Sequence, residues 1–213
     1  MKYELIIFDL DGTLVDSSSG VIKSIEHTID VLNLPQLSIE EKRSLVGLPI
    51  FDSFKKIYKM SDSEAEYATK IFRDIYKSDF LYDAVLYKNI FSTLVKLRNH
   101  KYKLAIASYK KDDYCKLLLK YLKIDKMFEY IQGSDSNNKL SKLEIMQKCI
   151  AKFNVNLNKI LMVGDTAHDA FGSERLGVDF IGVSYGFGNK DDLHKHKNIA
   201  IIDDIEKIFD ILN

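Results

Sequence analysis

Two pairs of aspartates stand out because each pair follows a short apolar run. The first pair, Asp9 and Asp11, directly follows the apolar residues Leu5–Phe8. At the end of a strand, both carboxylates can project into the same cleft, and Gly12 permits a tight turn. A hairpin turn, or simple capping of backbone amides, would also explain this pair. The serine-rich helical start that comes after Thr13-Leu-Val disfavours the hairpin, because it is not a second strand.

The second pair, Asp165 and Asp169, comes after the apolar run Ile160–Val163. If a helix begins near Thr166, these two carboxylates lie four residues apart and point the same way. Helix capping by Asp165 and a favourable first-turn acid at Asp169 would account for each residue separately. That alternative does not explain a second carboxylate pair at a second strand end. Gathered carboxylates are what a hard cation requires, so the two pairs predict a Mg²⁺ site.

A hydroxyl and an ammonium group occur in comparable positions. Ser108 ends the strand-like run Leu104–Ala107, where helix capping is the simple alternative. Ser141 and Glu144 have the spacing of a capping box, which makes Lys142 the first residue of a helix. A cation there is unfavourable by about 0.3–1 kcal/mol unless an anion lies beside it, although a solvated surface lysine remains the alternative. The acids could bind a metal and supply a nucleophile, while Ser108 and Lys142 could bind the oxygens of a phosphoryl group. Together these residues predict a phosphoryl-transfer site.

The elements that must position these residues alternate between short apolar runs and amphipathic helical segments. This alternation predicts an α/β fold with a parallel sheet and helices on both faces. From Ser17 to Tyr82 only helical spacing occurs, which predicts a helical subdomain inserted after the first strand. Ligands of parallel sheets bind beyond the carboxyl ends of the strands, where such an insert would act as a lid. The runs predicted as strands are Leu5–Phe8, Leu104–Ala107, Phe128–Ile131, Ile160–Val163 and Phe180–Val183.

The composition argues against some classes of partner. Lysine plus arginine equals aspartate plus glutamate at 31 each, whereas proteins that bind nucleic acid normally carry a basic excess. The N-terminal apolar run is too short for a signal peptide or a membrane span. Cys115 and Cys149 form no CxxC pair and are expected to be reduced thiols. We therefore expect a cytoplasmic protein, by default a monomer, with no nucleic-acid or membrane partner.

Four segments of the chain resemble the haloacid dehalogenase superfamily, and within it the phosphoglycolate-phosphatase-like proteins. They are DLDGTLVDS at the start, ASYK in the middle, the helix that begins at Lys142, and VGDTAHDA near the end. The DxDGT and GDxxxD motifs in this order are highly specific, and the resemblance covers essentially the whole chain. It implies a Rossmann-like three-layer αβα core formed by residues 1–15 and 86–213, with a small all-helical cap domain at residues 16–85.

The same resemblance implies roles for the four acids. Asp9 would be the nucleophile that forms an aspartyl-phosphate, and Asp11 would protonate the leaving oxygen and then activate water. Mg²⁺ would be the cofactor, with Asp9, Asp11 (through its backbone carbonyl) and Asp165 as its protein ligands. Asp169 would support that set of ligands or the lysine.

The phosphoryl group would be held by Ser108 and Lys142, with backbone amide donors around Gly12 and Tyr109. Lys142 lacks the proline that often follows this lysine in the family, so Lys139 stays open as an alternative. His168 lies at a freely varying position of the second acidic motif and has no assigned role.

The predicted activity is Mg²⁺-dependent hydrolysis of a small phosphorylated metabolite, with phosphoglycolate as the substrate that the resemblance suggests. A β-phosphoglucomutase-like phosphosugar mutase, a 5′-nucleotidase and a pyrophosphatase stay open on the same core. A dehalogenase is disfavoured, because Asp11 is the acid that phosphoryl-transfer members carry. The non-enzyme alternatives are a receiver-like signalling module and a catalytically silent phosphate-binding protein. The long helical insert argues against the first, and the intact set of acids with Ser108 and Lys142 argues against the second.

Overall fold

The computed structural model describes residues 2–135 and 140–212. Within these residues, a six-stranded sheet runs entirely parallel, with the N-terminal strand in the middle. In sheet order, the strands are β5 (Tyr130–Ser134), β4 (Lys103–Lys111), β1 (Leu5–Phe8), β6 (Ile160–Gly164), β7 (Asp179–Val183) and β8 (Ala200–Ile202). The sheet is flanked by helices, so the predicted α/β Rossmann-like fold is confirmed.

The position of β1 creates the switch point of the sheet. Strands β4 and β5 lie on one side of β1, and strands β6, β7 and β8, which come later in the chain, lie on the other side. The Leu-Ile-Ile-Phe run of β1 and the run of β6 are buried along their whole length, as expected for strands covered on both faces. Ligands of doubly wound sheets bind where the order reverses, which here lies at the carboxyl ends of β1 and β6.

The helices of the sheet-containing part follow the strands. They are α5 (Ile90–Asn99), α6 (Asp112–Tyr121), α7 (Lys142–Ile150), α8 (Ala167–Leu176), α9 (Lys190–His194) and α10 (Ile208–Leu212), with 3₁₀ turns at Asp125–Met127, Leu157–Lys159 and Ile205–Lys207. Helices α7 and α8 pack on the sheet through Ile145, Met146 and Ala170, which join one buried cluster with Leu5 and Ile7 of β1. Strand β1 and the first turns of both helices are therefore fixed by a single core.

The chain divides into two compact units, Met1–Asp16 with Leu86–Asn213, and Ser17–Val85. The second unit contains α1 (Ser18–Val31), α2 (Ile39–Ser44), α3 (Ile50–Tyr58), α4 (Asp62–Ile75) and a π-helical turn at Tyr76–Phe80. Two-residue strands, β2 (Val15–Asp16) and β3 (Val85–Leu86), pair where the chain leaves the sheet and where it returns. Among the residues described, we find no helix with the length and apolarity to span a bilayer.

Within the six-stranded sheet, three strands differ from the sequence prediction by more than one residue. Strand β4 continues to Lys111, because its polar end still pairs with β5 after a register shift. Strand β5 begins at Tyr130, two residues later than predicted. Strand β8 was not predicted, since it has only three residues and pairs with a single neighbour. The longer β4 matters most, because it places Ser108 and the three residues after it on the sheet.

Candidate active site

The two acidic motifs meet at the switch point. Asp9 directly follows β1 and Asp165 directly follows β6, and these strands pair with Phe8 opposite Val163. The Asp9 N–H also donates to the Val163 carbonyl at 2.9 Å. One carboxylate oxygen each from Asp9, Asp165 and Asp169 lie within 4.8 Å of one another. All three side chains are buried.

Lys142 lies between two of these acids. Its Nζ is 2.9 Å from Asp9 Oδ1 and 2.7 Å from Asp169 Oδ1, and the lysine side chain is 2% exposed. Burial disfavours the ammonium charge, but Asp169 and Asp9 outweigh burial and raise the pKa of Lys142. Lys142 is the first residue of α7, which begins with the predicted Ser141 capping box. The two carboxylates therefore offset the unfavourable position of a cation at a helix N-terminus.

Asp169 is engaged through both carboxylate oxygens. In addition to the Lys142 contact of Oδ1, Oδ2 accepts the Thr166 N–H at 3.0 Å and the Thr166 hydroxyl at 2.7 Å. Thr166, and not Asp165, is the N-cap of α8, so the simple capping interpretation holds for Asp169 and is wrong for Asp165. With both oxygens occupied, Asp169 is suited to orient Lys142 and α8.

Asp165 is held by a loop that follows β7. Its Oδ2 accepts the N–H groups of Phe187 at 2.8 Å and Gly188 at 3.1 Å, and Thr13 Oγ1 donates to Oδ1 at 3.3 Å. The packing is tight: a Cβ on Gly12 would lie 2.1 Å from Asp165 Oδ2, and one on Gly188 would lie 1.9 Å from the Asp165 carbonyl oxygen. These glycines thus allow the two acidic loops and the β7 loop to touch.

Burial and mutual repulsion oppose ionisation of the acids. The pKa of Asp9 is raised to about 7, because burial and repulsion from Asp169 raise it by more than Lys142 lowers it. Burial, followed by repulsion from Asp169 and Asp9, raises the pKa of Asp165 to about 8, against the lowering effect of the two loop amides. A cation held among these oxygens would relieve both effects.

The donor set fits a divalent, oxygen-binding cation. Six charged side chains are buried here, four carboxylates and two ammonium groups: Asp9, Asp11, Asp165, Asp169, Lys110 and Lys142. When all six are ionised, two negative charges remain in excess, which one Mg²⁺ would neutralise. Carboxylate and carbonyl oxygens are also the ligands that Mg²⁺ prefers.

Asp11 has a partner that the sequence prediction missed. Both of its carboxylate oxygens lie 3.0 Å from Lys110 Nζ, and the two side chains are 7% and 5% exposed. Lys110 follows Ser108 by two residues on β4, so the alternation of a strand places both on one face of the sheet. This spacing is the signal in the sequence that indicates Lys110, but a strand that ends at Ala107, as predicted, does not include either residue.

The remaining predicted residues have mixed outcomes. Ser108 is buried within β4, so the alternative of a helix cap is wrong for it. The Tyr109 hydroxyl accepts the Lys142 N–H at 3.0 Å, and its ring meets exposed His168 edge-on at 5.5 Å. The Gly12 N–H donates to the Val15 carbonyl at 2.9 Å, and its role in phosphoryl binding stays a prediction.

The position of Gly12 requires glycine, because its φ is +83° and the Asp165 side chain leaves no room for a Cβ atom. Lys139, the alternative phosphoryl-binding lysine, lies outside the described residues.

The comparisons with known proteins agree with this arrangement. The family model for haloacid dehalogenase-like hydrolases matches residues 6–183. The 5′-nucleotidase of Pseudomonas aeruginosa is 27% identical over 213 residues, 100% of this chain and 96% of that protein. Tyrosine-protein kinase PtkA of Mycobacterium tuberculosis is 28% identical over 199 residues, 93% of this chain and 68% of PtkA.

Among solved structures, a "predicted phosphatase" from Clostridium acetobutylicum is similar with a TM-score of 0.94 and 26% identity, covering 100% of this chain and 99% of that one. The family match extends over most of the chain and includes both acidic motifs. The chain therefore belongs to the haloacid dehalogenase-like hydrolase family and is a phosphatase of that family.

Proposed function

We propose that this protein is a Mg²⁺-dependent phosphatase that hydrolyses a small phosphate monoester through an aspartyl-phosphate on Asp9. The observation that carries the proposal is the position of the Asp9 carboxylate at the switch point of the sheet. There it lies 2.9 Å from Lys142 Nζ and within reach of the Asp165 carboxylate. A buried nucleophile beside one cation and further acids fits covalent phosphoryl transfer.

In the first step, a carboxylate oxygen of Asp9 attacks phosphorus. The bond between phosphorus and the ester oxygen breaks, and its electron pair stays on the leaving oxygen. Asp11, two residues from Asp9, gives that oxygen a proton, so the alcohol leaves neutral. Lys142 and Ser108 would hold phosphoryl oxygens as charge builds on them.

In the second step, water attacks the phosphorus of the aspartyl-phosphate. Asp11, now a carboxylate, accepts the proton of the water, and the bond between phosphorus and the Asp9 oxygen breaks. Inorganic phosphate leaves, and Asp9 and Asp11 return to their starting states. The same residue thus acts first as acid and then as base.

For the metal, we propose the carboxylates of Asp9 and Asp165 and the backbone carbonyl of Asp11 as protein ligands. When bound, Mg²⁺ supplies positive charge that neutralises the transferred phosphoryl group. Asp169 would hold Lys142 in place, which its two occupied oxygens support. Phosphoryl contacts would come from Ser108, Lys142 and the backbone near Tyr109.

We propose that the substrate is a small phosphorylated metabolite. We also propose that the protein is cytoplasmic and monomeric. Phosphoglycolate is the starting expectation, and a nucleotide, pyrophosphate and a phosphosugar are the alternatives. The relatives carry different names, a 5′-nucleotidase and a tyrosine-protein kinase, so the acceptor of the phosphoryl group also needs a test. We further propose that the helical unit Ser17–Val85 is a cap domain that sets the substrate.

The test is phosphate release from a panel of phosphomonoesters and pyrophosphate, with Mg²⁺, with EDTA, and with Asp9→Asn. We expect turnover that requires Mg²⁺ and is lost in Asp9→Asn. Asp203→Asn is the matched control, because this exposed aspartate lies outside the site, and it should keep full activity. Turnover that survives Asp9→Asn would remove Asp9 as nucleophile.

Two further arms decide between the alternatives. Isomerisation that depends on glucose 1,6-bisphosphate and releases no phosphate would indicate the mutase. Transfer from ATP to a tyrosine peptide, without phosphate release from any ester, would indicate a kinase.

A further inference from the structure

Lys110 contacts Asp11 so closely that it restricts what the Asp11 carboxylate can do. Its Nζ lies 3.0 Å from both carboxylate oxygens, and neither side chain is more than 7% exposed. Lys110 is itself fixed by the strand: its N–H donates to Ser108 Oγ at 3.3 Å, and its carbonyl accepts from Cys115 Sγ at 3.4 Å. The backbone of Lys110 is therefore held in place, and its buried ammonium contacts the Asp11 carboxylate.

The four acids of the site have different hydrogen-bonding and ion-pair partners. Lys142 serves Asp9 and Asp169, and the loop amides serve Asp165. Among the described residues, the group that could hold a metal ion contains these three acids and omits Asp11. Asp11 is nevertheless only two residues from Asp9, so some contact must keep the Asp11 carboxylate away from the metal-binding group.

In the proposed function, Asp11 has two different roles. Its backbone carbonyl binds the metal, while its carboxylate must stay available to the leaving oxygen and to water. An unrestrained carboxylate beside a divalent cation is a strong competing ligand, because Mg²⁺ prefers charged oxygens. An ammonium group that faces both carboxylate oxygens opposes that capture.

We infer that Lys110 is a positioning residue that keeps the Asp11 carboxylate off the metal and oriented for its role as the base of the second step. This inference rests on the proposed function, and it goes beyond it in assigning a role to Lys110. A buried ion pair that serves only the stability of the fold is the competing explanation. The two explanations differ in metal affinity and in the coupling between Lys110 and Asp11.

The first measurement is Mg²⁺ binding to the full chain without substrate, by isothermal titration calorimetry. In Lys110→Met we expect Mg²⁺ affinity to rise about tenfold or more, because the released carboxylate becomes an added ligand. Adding Asp11→Asn to Lys110→Met should remove this gain. A Lys110→Met affinity within threefold of the unmodified protein would overturn the inference.

The second measurement is a double-mutant cycle on kcat and KM with p-nitrophenyl phosphate and Mg²⁺. Lys110→Met should lower kcat about 100-fold with KM changed less than about threefold, and Lys110→Arg should recover part of the loss. In an Asp11→Asn background, Lys110→Met should change kcat less than about threefold, because its effect passes through Asp11. Equal losses in both backgrounds would overturn the inference.

Lys116→Met is the matched control, since Lys116 forms an exposed pair with Asp112 away from the site, and both readouts should be unchanged. If Lys110→Met does not fold, the comparison of Asp11→Asn with Lys110→Met/Asp11→Asn still tests the inference, because the double variant removes both charges together. A further tenfold loss relative to Asp11→Asn alone would then overturn the inference. Failure of the phosphatase proposal is seen separately, as turnover that survives Asp9→Asn.

Discussion

Gly188→Ala tests how the β7 loop supports the metal site. The Gly188 N–H donates to Asp165 Oδ2 at 3.1 Å, and an added Cβ would lie 1.9 Å from the Asp165 carbonyl oxygen and 3.1 Å from Thr166 Cα. Both neighbours are backbone atoms, so they cannot swing aside as the end of a side chain could. The backbone of Gly188 has no positive φ, so steric contact is the whole perturbation.

The magnitude follows from the distances. An ordinary contact of roughly 3.4 Å requires the loop to retreat by about 1.5 Å, and that retreat breaks a hydrogen bond of this length. A hydrogen bond to a charged group contributes about 1.5–3 kcal/mol, which corresponds to about 10- to 100-fold in a binding constant. We therefore expect Gly188→Ala to weaken Mg²⁺ binding about 10- to 100-fold, the usual effect of losing a partner of a metal ligand.

The assay is calorimetric titration of Mg²⁺ into the folded variant, beside urea denaturation without metal. Gly177→Ala is the control: Gly177 ends α8 with φ +69° and has open space at its Cβ position. This control should lose about 1 kcal/mol of unfolding free energy and keep its Mg²⁺ affinity. A folded Gly188→Ala protein with Mg²⁺ affinity within about threefold of the unmodified chain would refute the reasoning.

Lys142→Met leaves the buried Asp9 and Asp169 carboxylates without their shared cation. It should lower the free energy of unfolding in urea by about 3–5 kcal/mol, and a loss below about 1 kcal/mol would contradict this. Without metal, the pKa of Asp9 is about 7 and that of Asp165 about 8, so the folded state holds these protons more tightly than the unfolded chain. The free energy of unfolding should therefore fall as pH rises from about 4 to about 8, and Mg²⁺ should raise Tm more at about pH 8 than at about pH 5.5; equal rises would refute it. Tyr109→Phe removes the acceptor of the Lys142 N–H and should lower the free energy of unfolding in urea by about 1 kcal/mol with Mg²⁺ affinity unchanged; a changed affinity would show that the hydroxyl also shapes the site.

The fold was predictable from the sequence wherever burial dictates residue type. Strands β1, β6 and β7 are apolar runs, and the capping box at Ser141 marked the start of α7. Strand β8 and the end of β4 were missed for a physical reason. A three-residue edge strand has too few side chains for a pattern. The end of β4 is polar because Tyr109 contacts Lys142, Lys110 contacts Asp11 and Lys111 pairs with Asp113.

The acids of the site were also predictable, because two carboxylates at each of two strand ends form a rare pattern. Their catalytic roles remain predictions. The partner of Asp11 was not found, because a lysine near a strand end usually faces solvent, and only tertiary structure shows that Lys110 turns inward. The loop after β7 binds Asp165 through backbone N–H groups. Because every residue except proline has such a group, the sequence indicates this contact only through the spacing of Gly186 and Gly188.

The central place of β1 in the sheet has a consequence for how the enzyme is made. Strand β1 pairs with β4 on one side and β6 on the other, and Leu5 is matched with Lys103 and with Ile160. Both pairings join residues about 100 or more positions apart, which predicts slow folding with a high contact order. Asp9 cannot meet Asp165 before β6 is in place, so a nascent chain brings these two acids together only after all the residues between them have been synthesised.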